Sequence, residues 1–335
     1  MKTTAIVILN YNGRKHLQTF LPSVVKHANG NRIIVADNGS TDDSIVFLQE
    51  RFPEIELLRN TENLGFAGGY NWALPQAKAD YFILLNSDVE VTQNWVPPLI
   101  EVLESADNIA ACQPKILAYS DKSKFEHAGA AGGYIDKFGY PFCRGRIFDT
   151  ELDLNQYDDT QEIFWATGSC LAIKAEAFHK MKGFDEDFYA HMEEIDLCWR
   201  LKSAGMQIFY TGKSTVYHLG GGTLNKSNPR KTFLNYRNNL FMLLKNLPAN
   251  KLLPVIFARL CLDGISAFRH LLQGDFGDFW AIFTSHFAFY RKFFGMFRKR
   301  SNPSLPSKMY NGSIVYDYFL KKYRTFDKLN SEKFR

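Results

Sequence analysis

The sequence predicts an α/β fold, with a mostly parallel sheet, helices on both faces and a C-terminal α-helical extension. In the first part of the chain, short apolar segments rich in β-branched residues alternate with stretches of helical length, an order typical of parallel sheets. Later, the strand-like segments give way to long stretches with apolar residues at helical spacing. We expect one domain over residues 1–225 and a basic, aromatic-rich extension over residues 226–335.

Four strands are predicted to alternate with three helices at the start of the chain. The predicted strands are Thr4–Leu9, Arg32–Ala36, Ile55–Arg59 and Tyr81–Leu85, and the predicted helices are Gly13–Ala28, Asp42–Phe52 and Ala67–Lys78. The opening residues become polar too soon for a secretory signal, so we expect the chain to begin with a strand.

The charge of the chain is unevenly distributed. Residues 1–225 carry 20 Lys and Arg against 29 Asp and Glu, whereas residues 226–335 carry 20 against 6. An acidic first part argues against nucleic-acid binding, because neutralising phosphates requires basic residues at the working surface. The five cysteines show no paired spacing, so neither a zinc site nor a disulfide framework is expected, and a reducing compartment fits.

Polar residues follow three of the predicted strands where each strand ends. They are Asn10 and Asn12, then Asp37, then Asn86 and Asp88. One such residue is an ordinary turn residue, but ligands of parallel sheets bind beyond the carboxyl ends of the strands, so three together favour a ligand site. Asp37 suits hydrogen bonds from a nucleobase or ribose. Asp88 suits a divalent cation that holds a diphosphate.

A second acidic segment reads YAHMEEIDLCWRLKSAG, in which Glu193 and Glu194 open a predicted helix. The simple structural explanation is that acids at a helix N-terminus stabilise the helix dipole, by about 0.3–1 kcal/mol each. With Asp185 and Asp187 nearby in sequence, we expect four carboxylates to crowd one site. Crowding raises a carboxyl pKa, which suits a general base.

Seven segments, in order, resemble family 2 glycosyltransferases of the rhamnosyltransferase-like branch, which have the GT-A fold. They are VILNYNG, VADNGSTDDS, NLGFAGGYNWAL, FILLNSDVEV, ATGSCLAIKAEAF, GFDEDFYAHMEEIDLCWRLKSAG and VYHLGGGT. The resemblance implies a Rossmann-like catalytic domain that transfers a sugar with inversion from a nucleoside-diphosphate sugar, such as dTDP-rhamnose or a UDP-sugar. It also implies a Mg²⁺ or Mn²⁺ cofactor.

The resemblance further implies residues that bind the donor. Asp37 matches the carboxylate that contacts the nucleotide base, and Asn10 and Asn12 would line the same pocket. The other donor-binding positions in the matched segments are Asn63, Gly65, Asn71, Asn86 and Gly168.

A metal site is implied where Asn86-Ser87-Asp88 matches the DxD motif of the family. Asp88 matches the metal-binding carboxylate, but Asn86 departs from the motif and offers only a neutral amide oxygen. His218 follows a later predicted strand and matches a histidine that some relatives use as a further metal ligand. A single histidine at a strand end is equally often structural.

The base of the reaction is implied by Glu193-Glu194, which matches the ED motif, whose second residue is the base. Glu194 replaces the Asp of the motif and is one methylene longer, so both glutamates stay candidates. Gly220 to Gly222 suggest either a loop that closes over the donor or a simple linker. The residues expected to shape the acceptor pocket are Trp165, Tyr189 and Met192.

Aromatic residues recur at near-helical spacing towards the C-terminus. They are Phe279, Phe283, Phe287, Tyr290, Phe294 and Phe297, and the basic residues Arg291, Lys292, Arg298, Lys299 and Arg300 follow or interleave. The uncharged run Phe279–Tyr290 has 12 residues, short of the ~20 that span a bilayer. We expect a peripheral contact with an anionic membrane at the inner face of the plasma membrane of a cytoplasmic protein. Packing on the catalytic domain, or a dimer contact, is the alternative.

The sequence therefore predicts an inverting, metal-dependent glycosyltransferase of cell-surface polysaccharide biosynthesis, whose saccharide acceptor is expected to be lipid-linked. One alternative is a catalytically degenerate scaffold that binds nucleotide sugars, which the departures at Asn86 and Glu194 allow. A sugar nucleotidyltransferase is less favoured, because NYNGRKH lacks a glycine-rich loop for a triphosphate. A dinucleotide dehydrogenase would require GxGxxG directly after a strand, and GFAGG lacks that spacing.

Overall fold

A ten-stranded mixed sheet forms the centre of the computed structural model, which describes residues 2–220 and 228–334. The strands are β1 (Thr4–Asn10), β2 (Arg32–Asn38), β3 (Glu56–Asn60), β4 (Tyr81–Asn86), β5 (Val89–Val91), β6 (Ile109–Ala118), β7 (Asp121–Phe125), β8 (Gly133–Asp136), β9 (Pro141–Cys143), β10 (Thr160–Ile163), β11 (Cys170–Lys174), β12 (Gln207–His218) and β13 (Met309–Tyr310). The order in the large sheet is β10-β12-β6-β11-β4-β1-β2-β3, with β5 beside β12 and β7 beside β6. Strands β13, β8 and β9 form a second, three-stranded sheet.

Helices cover both faces of the large sheet. The α-helices of the described ranges are α1 (Arg14–Lys26), α2 (Ser44–Arg51), α3 (Gly65–Ala77), α4 (Pro97–Glu104), α5 (Ala175–Lys180), α6 (Glu193–Ser203), α7 (Pro229–Asn246), α8 (Ala249–Leu272), α9 (Phe276–Arg298) and α10 (Ile314–Phe319). Ala5 and Val7 of β1 belong to the hydrophobic core that contains α3 and α6, whereas Ile6 and Ile8 belong to the core that contains α1, α2 and α4. Side chains of a strand alternate between faces, so one apolar strand supplies both cores.

The predicted alternation of strands and helices is confirmed, with every predicted boundary from β1 to β4 within two residues of the observed one. Strands β3, β2, β1 and β4 are parallel neighbours. The register sets Asn10 opposite Asp37 and Leu9 opposite Asn86, so the polar strand ends share one edge of the sheet. The sheet becomes mixed at β11, which runs antiparallel to both β4 and β6.

The C-terminal helices pack against the first part of the chain. Phe241 and Leu243 of α7 belong to the same hydrophobic core as α3 and α6, and α7 packs along α9. Strand β13 then returns the chain to pair in parallel with β8. None of the helices in the described part of the chain has the length and apolarity needed to cross a bilayer. The division into domains at residue 225 stays a prediction.

A buried ionic network joins α6 to α7. Asp196 is fully buried and accepts hydrogen bonds from Arg200, Lys245 and Asn246, each at 2.8 Å. Lys245 also donates to Asp185 at 2.8 Å. Burial alone would raise the pKa of Asp196, but the neighbouring Lys245 and Arg200 cations lower it to about 2.

Helix α7 also holds the segment that precedes α6 in an unfavourable backbone conformation. Tyr189, His191 and Met192 all have positive φ, at 66°, 70° and 73°, a region that side chains other than glycine seldom adopt. The buried amide of Asn238 donates to the carbonyl oxygens of Phe188, Ala190 and His191 at 2.8–2.9 Å. Two N–H groups shared among three carbonyls keep this strained segment in place.

We predict that Asn238→Ala destabilises the fold. It removes the side-chain donor from the carbonyl oxygens of Ala190 and His191 and leaves a gap where a buried amide was, a loss on the order of 1–3 kcal/mol in the free energy of unfolding. Urea denaturation followed by circular dichroism measures the change, with Asn235→Ala, a partly exposed amide on the same helix, as the control. Equal urea midpoints for Asn238→Ala and wild type would contradict this role for α7.

Candidate active site

The ends of β1 and β2 form a buried polar pair. Asn10 and Asp37 are both fully buried, and the Asn10 amide nitrogen donates to Asp37 Oδ1 at 2.9 Å. The backbone N–H of Ser40 donates to Asp37 Oδ2 at 3.0 Å. Asn10 Oδ1 is buried and accepts no hydrogen bond within the described ranges. This pair therefore presents an unsatisfied acceptor at the edge of the sheet where ligands bind.

Two of the asparagines implied by the resemblance form hydrogen bonds with backbone N–H groups of loops near that edge. Asn12 Oδ1 accepts from the backbone N–H groups of Thr41 and Asp42, at 2.7 and 3.2 Å. Asn63 Oδ1 accepts from the backbone N–H of Gly65 at 2.8 Å. Both side chains fix loops that border the end of β2.

Gly65 and Asn71 tie α3 to the segment before α6. Gly65 has φ +73°, and a Cβ at this position would lie 2.6 Å from the ring of Tyr189. Asn71 pairs with the backbone of Phe184, donating to its oxygen and accepting from its N–H at 2.9 Å. These two positions bring the segment that carries Glu194 to the same edge as β2.

A buried histidine lies between two carboxylates beyond the end of β4. His218 Nε2 is 3.2 Å from Asp88 Oδ1 and 3.5 Å from the amide nitrogen of Asn86. His218 Nδ1 is 3.4 Å from Glu126 Oε2. Asp88, Glu126 and His218 are each less than 9% exposed. The predicted metal residues Asp88 and His218 are therefore brought together with Asn86.

The charges of this cluster reinforce each other. Burial alone would lower the pKa of His218, but Asp88 and Glu126 raise it to about 10. Burial alone would raise the carboxyl pKa values, but the His218 ring lowers that of Asp88 and, with the Ala128 N–H, lowers that of Glu126 to about 2. At neutral pH both carboxylates are therefore ionised and His218 is protonated, so a metal ion would bind the imidazole nitrogen only by displacing a proton.

The donor atoms fit a divalent cation with few protein ligands. Asp88 offers a carboxylate oxygen and His218 an imidazole nitrogen, 3.2 Å apart and almost buried. Carboxylates suit Mg²⁺ and Mn²⁺, and a metal-binding histidine commonly has a carboxylate at its other ring nitrogen. Glu126 occupies that place. The sequence reasoning missed Glu126, because the segment after β7 has no pattern that marks it.

Gly168 lies beside this cluster. The backbone N–H of Asn86 donates to the carbonyl oxygen of Ser169 at 3.0 Å, which sets the turn at Gly168 against the end of β4. A Cβ at Gly168 would lie 2.8 Å from the ring of Phe66, so the turn has no room for a side chain there.

The two glutamates at the start of α6 differ in accessibility. Glu193 is 3% exposed, whereas Glu194 is partly exposed. Burial and the neighbouring Glu194 raise the pKa of Glu193 well above its usual range. Burial also raises the pKa of Glu194, to about 7. The Oε2 atoms of both Glu193 and Glu194 are buried and lack a hydrogen-bond partner among the described residues.

The expectation that four carboxylates crowd one site is wrong for Asp185 and Asp187. Asp185 pairs with Lys245 and Lys299, and Asp187 pairs with Lys299 and Lys292. The basic C-terminal helices therefore neutralise both aspartates, and burial, rather than crowding by these two groups, raises the pKa of Glu194.

The prediction that Trp165 shapes the acceptor pocket is wrong. It is 3% exposed, and its indole N–H donates to the carbonyl oxygen of Tyr134 at 2.8 Å, so it belongs to the core. Tyr189 and Met192 are partly exposed in the segment before Glu193. The expected loop at Gly220 to Gly222 lies mostly outside the described residues, which stop at Gly220 and resume at Asn228.

Comparison with known proteins agrees with this architecture. The profile described as "Glycosyl transferase family 2" matches residues 5–181. An N-acetylglucosaminyl-diphospho-decaprenol L-rhamnosyltransferase of Mycobacterium tuberculosis is 27% identical over 231 residues, which are 64% of this chain and 75% of the relative. The O-antigen biosynthesis protein RfbC of Myxococcus xanthus is 24% identical over 189 residues, 56% of this chain and 15% of that protein.

Solved structures share the fold at low sequence identity. GalNAc-T7 with UDP, GalNAc and Mn²⁺ superposes with a TM-score of 0.57 at 18% identity, over 75% of this chain and 49% of that chain, so this chain spans about half of it. The mannosyltransferase PcManGT of Pyrobaculum calidifontis, with GDP-Man and Mn²⁺, gives a TM-score of 0.53 at 13% identity, over 87% of this chain and 75% of that chain. The expected GT-A-like fold is confirmed, and the chain belongs to glycosyl transferase family 2.

Proposed function

We propose that this glycosyltransferase moves a sugar from a nucleoside-diphosphate sugar to a lipid-linked saccharide, with inversion at the anomeric carbon and the help of a divalent cation. The observation that carries the proposal is the joint presence, on one edge of the sheet, of the Asp88–His218 pair and the partly exposed residue Glu194. Phe66 of α3 lies between the Asp88–His218 pair and the segment before Glu194. Its ring lies against Gly168, beside the pair, and its backbone N–H donates to the carbonyl oxygen of Tyr189 at 2.8 Å.

Asp37 and Asn10 are proposed to bind the nucleotide. Asn10 Oδ1 is a buried acceptor that lacks a donor in the described ranges, and a nucleobase or ribose would supply one. Asn12, Asn63 and Asn71 act through the backbone groups that they bind. They keep the walls of the donor pocket in position.

Asp88 and His218 are proposed to hold Mn²⁺ or Mg²⁺, with Glu126 orienting the imidazole so that Nε2 faces Asp88. When bound, such a cation neutralises the charge that develops on the leaving diphosphate. Asn86 is a neutral neighbour and leaves the site with one strong carboxylate. Two protein ligands leave coordination positions for phosphate oxygens and water.

Glu194 is proposed as the general base. It accepts the proton of the acceptor hydroxyl while the acceptor oxygen bonds to the anomeric carbon and the bond from that carbon to the diphosphate breaks. A pKa of about 7 suits a base that works near neutral pH. Glu193 is the weaker candidate, because it is 3% exposed whereas Glu194 is partly exposed, and the substrate must reach the base.

The acceptor is proposed to be lipid-linked because of the surface formed by α8 and α9. Twelve large apolar side chains on these two helices are between 46% and 75% exposed. We call them the apolar face: Leu253, Phe257, Ile265, Phe268, Leu272, Phe276, Trp280, Phe283, Phe287, Tyr290, Phe294 and Phe297. A face of this size on a monomer marks an interaction surface. The Mycobacterium tuberculosis relative, by its name, acts on a diphospho-decaprenol.

A membrane contact through the apolar face is proposed to depend less on charge than the sequence predicts. Lys292 and Lys299 pair with Asp187 and Asp185, and Arg300 donates to the carbonyl oxygens of Leu244 and Leu247. Of the basic cluster, Arg291 and Arg298 form no ion pair among the described residues. We propose a peripheral position at the inner face of the plasma membrane, maintained mainly by aromatic side chains.

We predict that Mn²⁺ binding requires Asp88 and depends on Glu126. Asp88→Ala should abolish Mn²⁺ binding, measured by the electron paramagnetic resonance of free Mn²⁺ with UDP or dTDP present. Glu126→Gln should weaken it about 10- to 100-fold, because the imidazole loses its orienting carboxylate. Asp121→Asn, which alters a partly exposed carboxylate on β7, is the control. Unchanged affinity in Asp88→Ala would remove the metal assignment.

The same proteins decide between an enzyme and a binding scaffold. Wild type, incubated with a panel of nucleotide sugars and Mn²⁺ or Mg²⁺, should release nucleoside diphosphate from one donor. Nucleotide binding by calorimetry without release or transfer from any donor, acceptor lipid included, would favour the scaffold. Absence of nucleotide binding would exclude the transferase.

We predict that the rate follows the ionisation of Glu194. Below pH 7, kcat/KM should fall about tenfold per pH unit, because only the carboxylate accepts the proton, and above pH 7 it should level off. Glu194→Gln should lose about 10²- to 10⁴-fold in rate. Glu193→Gln should keep the wild-type pH profile. If the profile instead disappears in Glu193→Gln and persists in Glu194→Gln, the roles of the two glutamates are exchanged.

We predict that the apolar face binds lipid vesicles. The triple substitution Phe257→Ser, Phe287→Ser and Phe294→Ser should weaken vesicle binding, measured by flotation, more than about tenfold. Each substitution removes a side chain whose burial in the bilayer interface would contribute on the order of 1.5–3 kcal/mol. Leu154→Ser is a matched control, since Leu154 and Phe294 are both 75% exposed. Binding of wild type that disappears at high salt would show that charge dominates and would contradict the prediction.

A further inference from the structure

A cleft of about 410 Å³ lies between the segment that leads into Glu194 and the C-terminal helices. One wall contains Asp187 and Tyr189, and the other contains Arg230 and Arg237 of α7 with Lys292 of α9. The residues of both walls belong to the described ranges. The cleft is therefore bordered by three cations, two on α7 and one on α9.

Two of these cations lack an acidic partner within the part of the chain that the structure describes. No carboxylate oxygen in residues 2–220 or 228–334 lies within 4.0 Å of the guanidinium of Arg230 or Arg237. Arg230 is exposed, and its guanidinium lies 5.4 Å from the centre of the Tyr189 ring. Arg237 uses one amino group and Nε to bind the carbonyl oxygens of Asp187 and Phe188 and the amide oxygen of Asn238. Its other amino group donates no hydrogen bond in these ranges.

The two carboxylates in the walls do not cancel the positive charge. Asp187 is paired with Lys292 and Lys299 at 2.5 and 2.6 Å. Glu186 accepts a hydrogen bond from the amide of Asn71 at 3.1 Å. The lining thus carries three cations and two carboxylates, and neither carboxylate pairs with Arg230 or Arg237 in the described ranges, so the cleft favours an anion with several oxygens. Arginine binds phosphate oxygens in pairs, which suits a diphosphate.

The cleft also lies beside the segment that leads to the proposed base and has an apolar part. Tyr189 is five residues before Glu194 on the wall nearest the catalytic segment. The cleft lining also contains two apolar residues of α7, Phe233 and Leu234, which lie between the two arginines in sequence. An anionic ligand with an apolar chain would thus have its polar end at the arginines and its chain against Phe233 and Leu234.

We propose that the cleft binds the diphosphate of a polyprenyl-diphosphate acceptor. The guanidinium of Arg230 and the free amino group of Arg237 bind the phosphate oxygens, the polyprenyl chain contacts Phe233 and Leu234, and the saccharide extends towards Glu194. This assignment rests on the proposed function, since it takes the acceptor to be lipid-linked.

The test is calorimetric binding of farnesyl diphosphate to the full chain in EDTA, which keeps the proposed metal site from recruiting the diphosphate. Farnesol and inorganic pyrophosphate are measured beside it. Arg230→Ala and Arg237→Lys should each weaken farnesyl diphosphate binding about tenfold or more, because a charge-assisted, paired hydrogen bond is lost. Arg237→Lys is used because Arg237 also holds the backbone of residues 187 and 188. Arg269→Ala, an exposed arginine on α8, should bind as wild type.

Each outcome decides the proposal. Equal binding of farnesyl diphosphate by wild type and Arg230→Ala overturns it. Farnesol binding as tightly as farnesyl diphosphate shows that the diphosphate is not recognised and also overturns it. Pyrophosphate binding as tightly as farnesyl diphosphate, with the same dependence on Arg230, identifies a site for a free anion and overturns the lipid assignment.

Asp88→Ala separates this proposal from the proposed function. It should lose release of nucleoside diphosphate from the donor, yet bind farnesyl diphosphate in EDTA as wild type does. If wild type releases no nucleoside diphosphate and transfers no sugar, the proposed function fails whatever the calorimetry shows. If transfer occurs but farnesyl diphosphate binding ignores Arg230, only the cleft assignment fails.

Discussion

The rest of the site depends on the hydrogen bonds and ion pairs by which α7 holds the segment before α6. Residues 189, 191 and 192 have positive φ, a conformation that costs on the order of 1–3 kcal/mol per residue and persists only where surrounding contacts impose it. Asn238 supplies three of those contacts, and the buried Asp196–Lys245 pair anchors the same two helices. Glu194 therefore follows directly after a turn whose backbone conformation is fixed by these contacts.

The ionic network around Asp196 is sensitive to pH in one direction. The pKa of Asp196 in the folded protein, about 2, is below its ordinary value of 3.8. The stability contributed by its ion pairs is therefore complete above pH 3.8 and is lost as the pH falls towards 2. The network is intact at the neutral pH at which Glu194 would act as a base.

Part of the positive charge of the extension is neutralised by ion pairs with the acidic first part of the chain. Lys245, Lys292 and Lys299 of the basic extension pair with Asp185, Asp187 and Asp196 of the acidic first part. These pairs fix the C-terminal helices against the segment before α6. They also leave α8 and α9 with a surface whose most prominent feature is apolar. Charge thus orients the extension, and its aromatic side chains remain available for an external contact.

The sequence by itself determined the parallel strands, the helices between them and the placing of Asn10, Asp37, Asn86 and Asp88 on one edge. Strand and helix periodicities are local, and polar residues at successive parallel strand ends must meet. The helical spacing of the C-terminal aromatic residues was likewise sufficient to predict an exposed face, although Phe279 is only partly exposed.

Only the tertiary structure decided which distant side chains meet. Glu126 lies beside His218, Asn238 binds the carbonyl oxygen of His191, and Lys292 pairs with Asp187, across separations of tens of residues that leave no local pattern. It also distinguished the surroundings of Glu193 and Glu194, since consecutive helical residues point about 100° apart, and Glu193 is 3% exposed whereas Glu194 is partly exposed. Burial and pairing are properties of the packed chain, and for that reason neither the exposure of the two glutamates nor the ion pairs of the basic residues followed from the sequence.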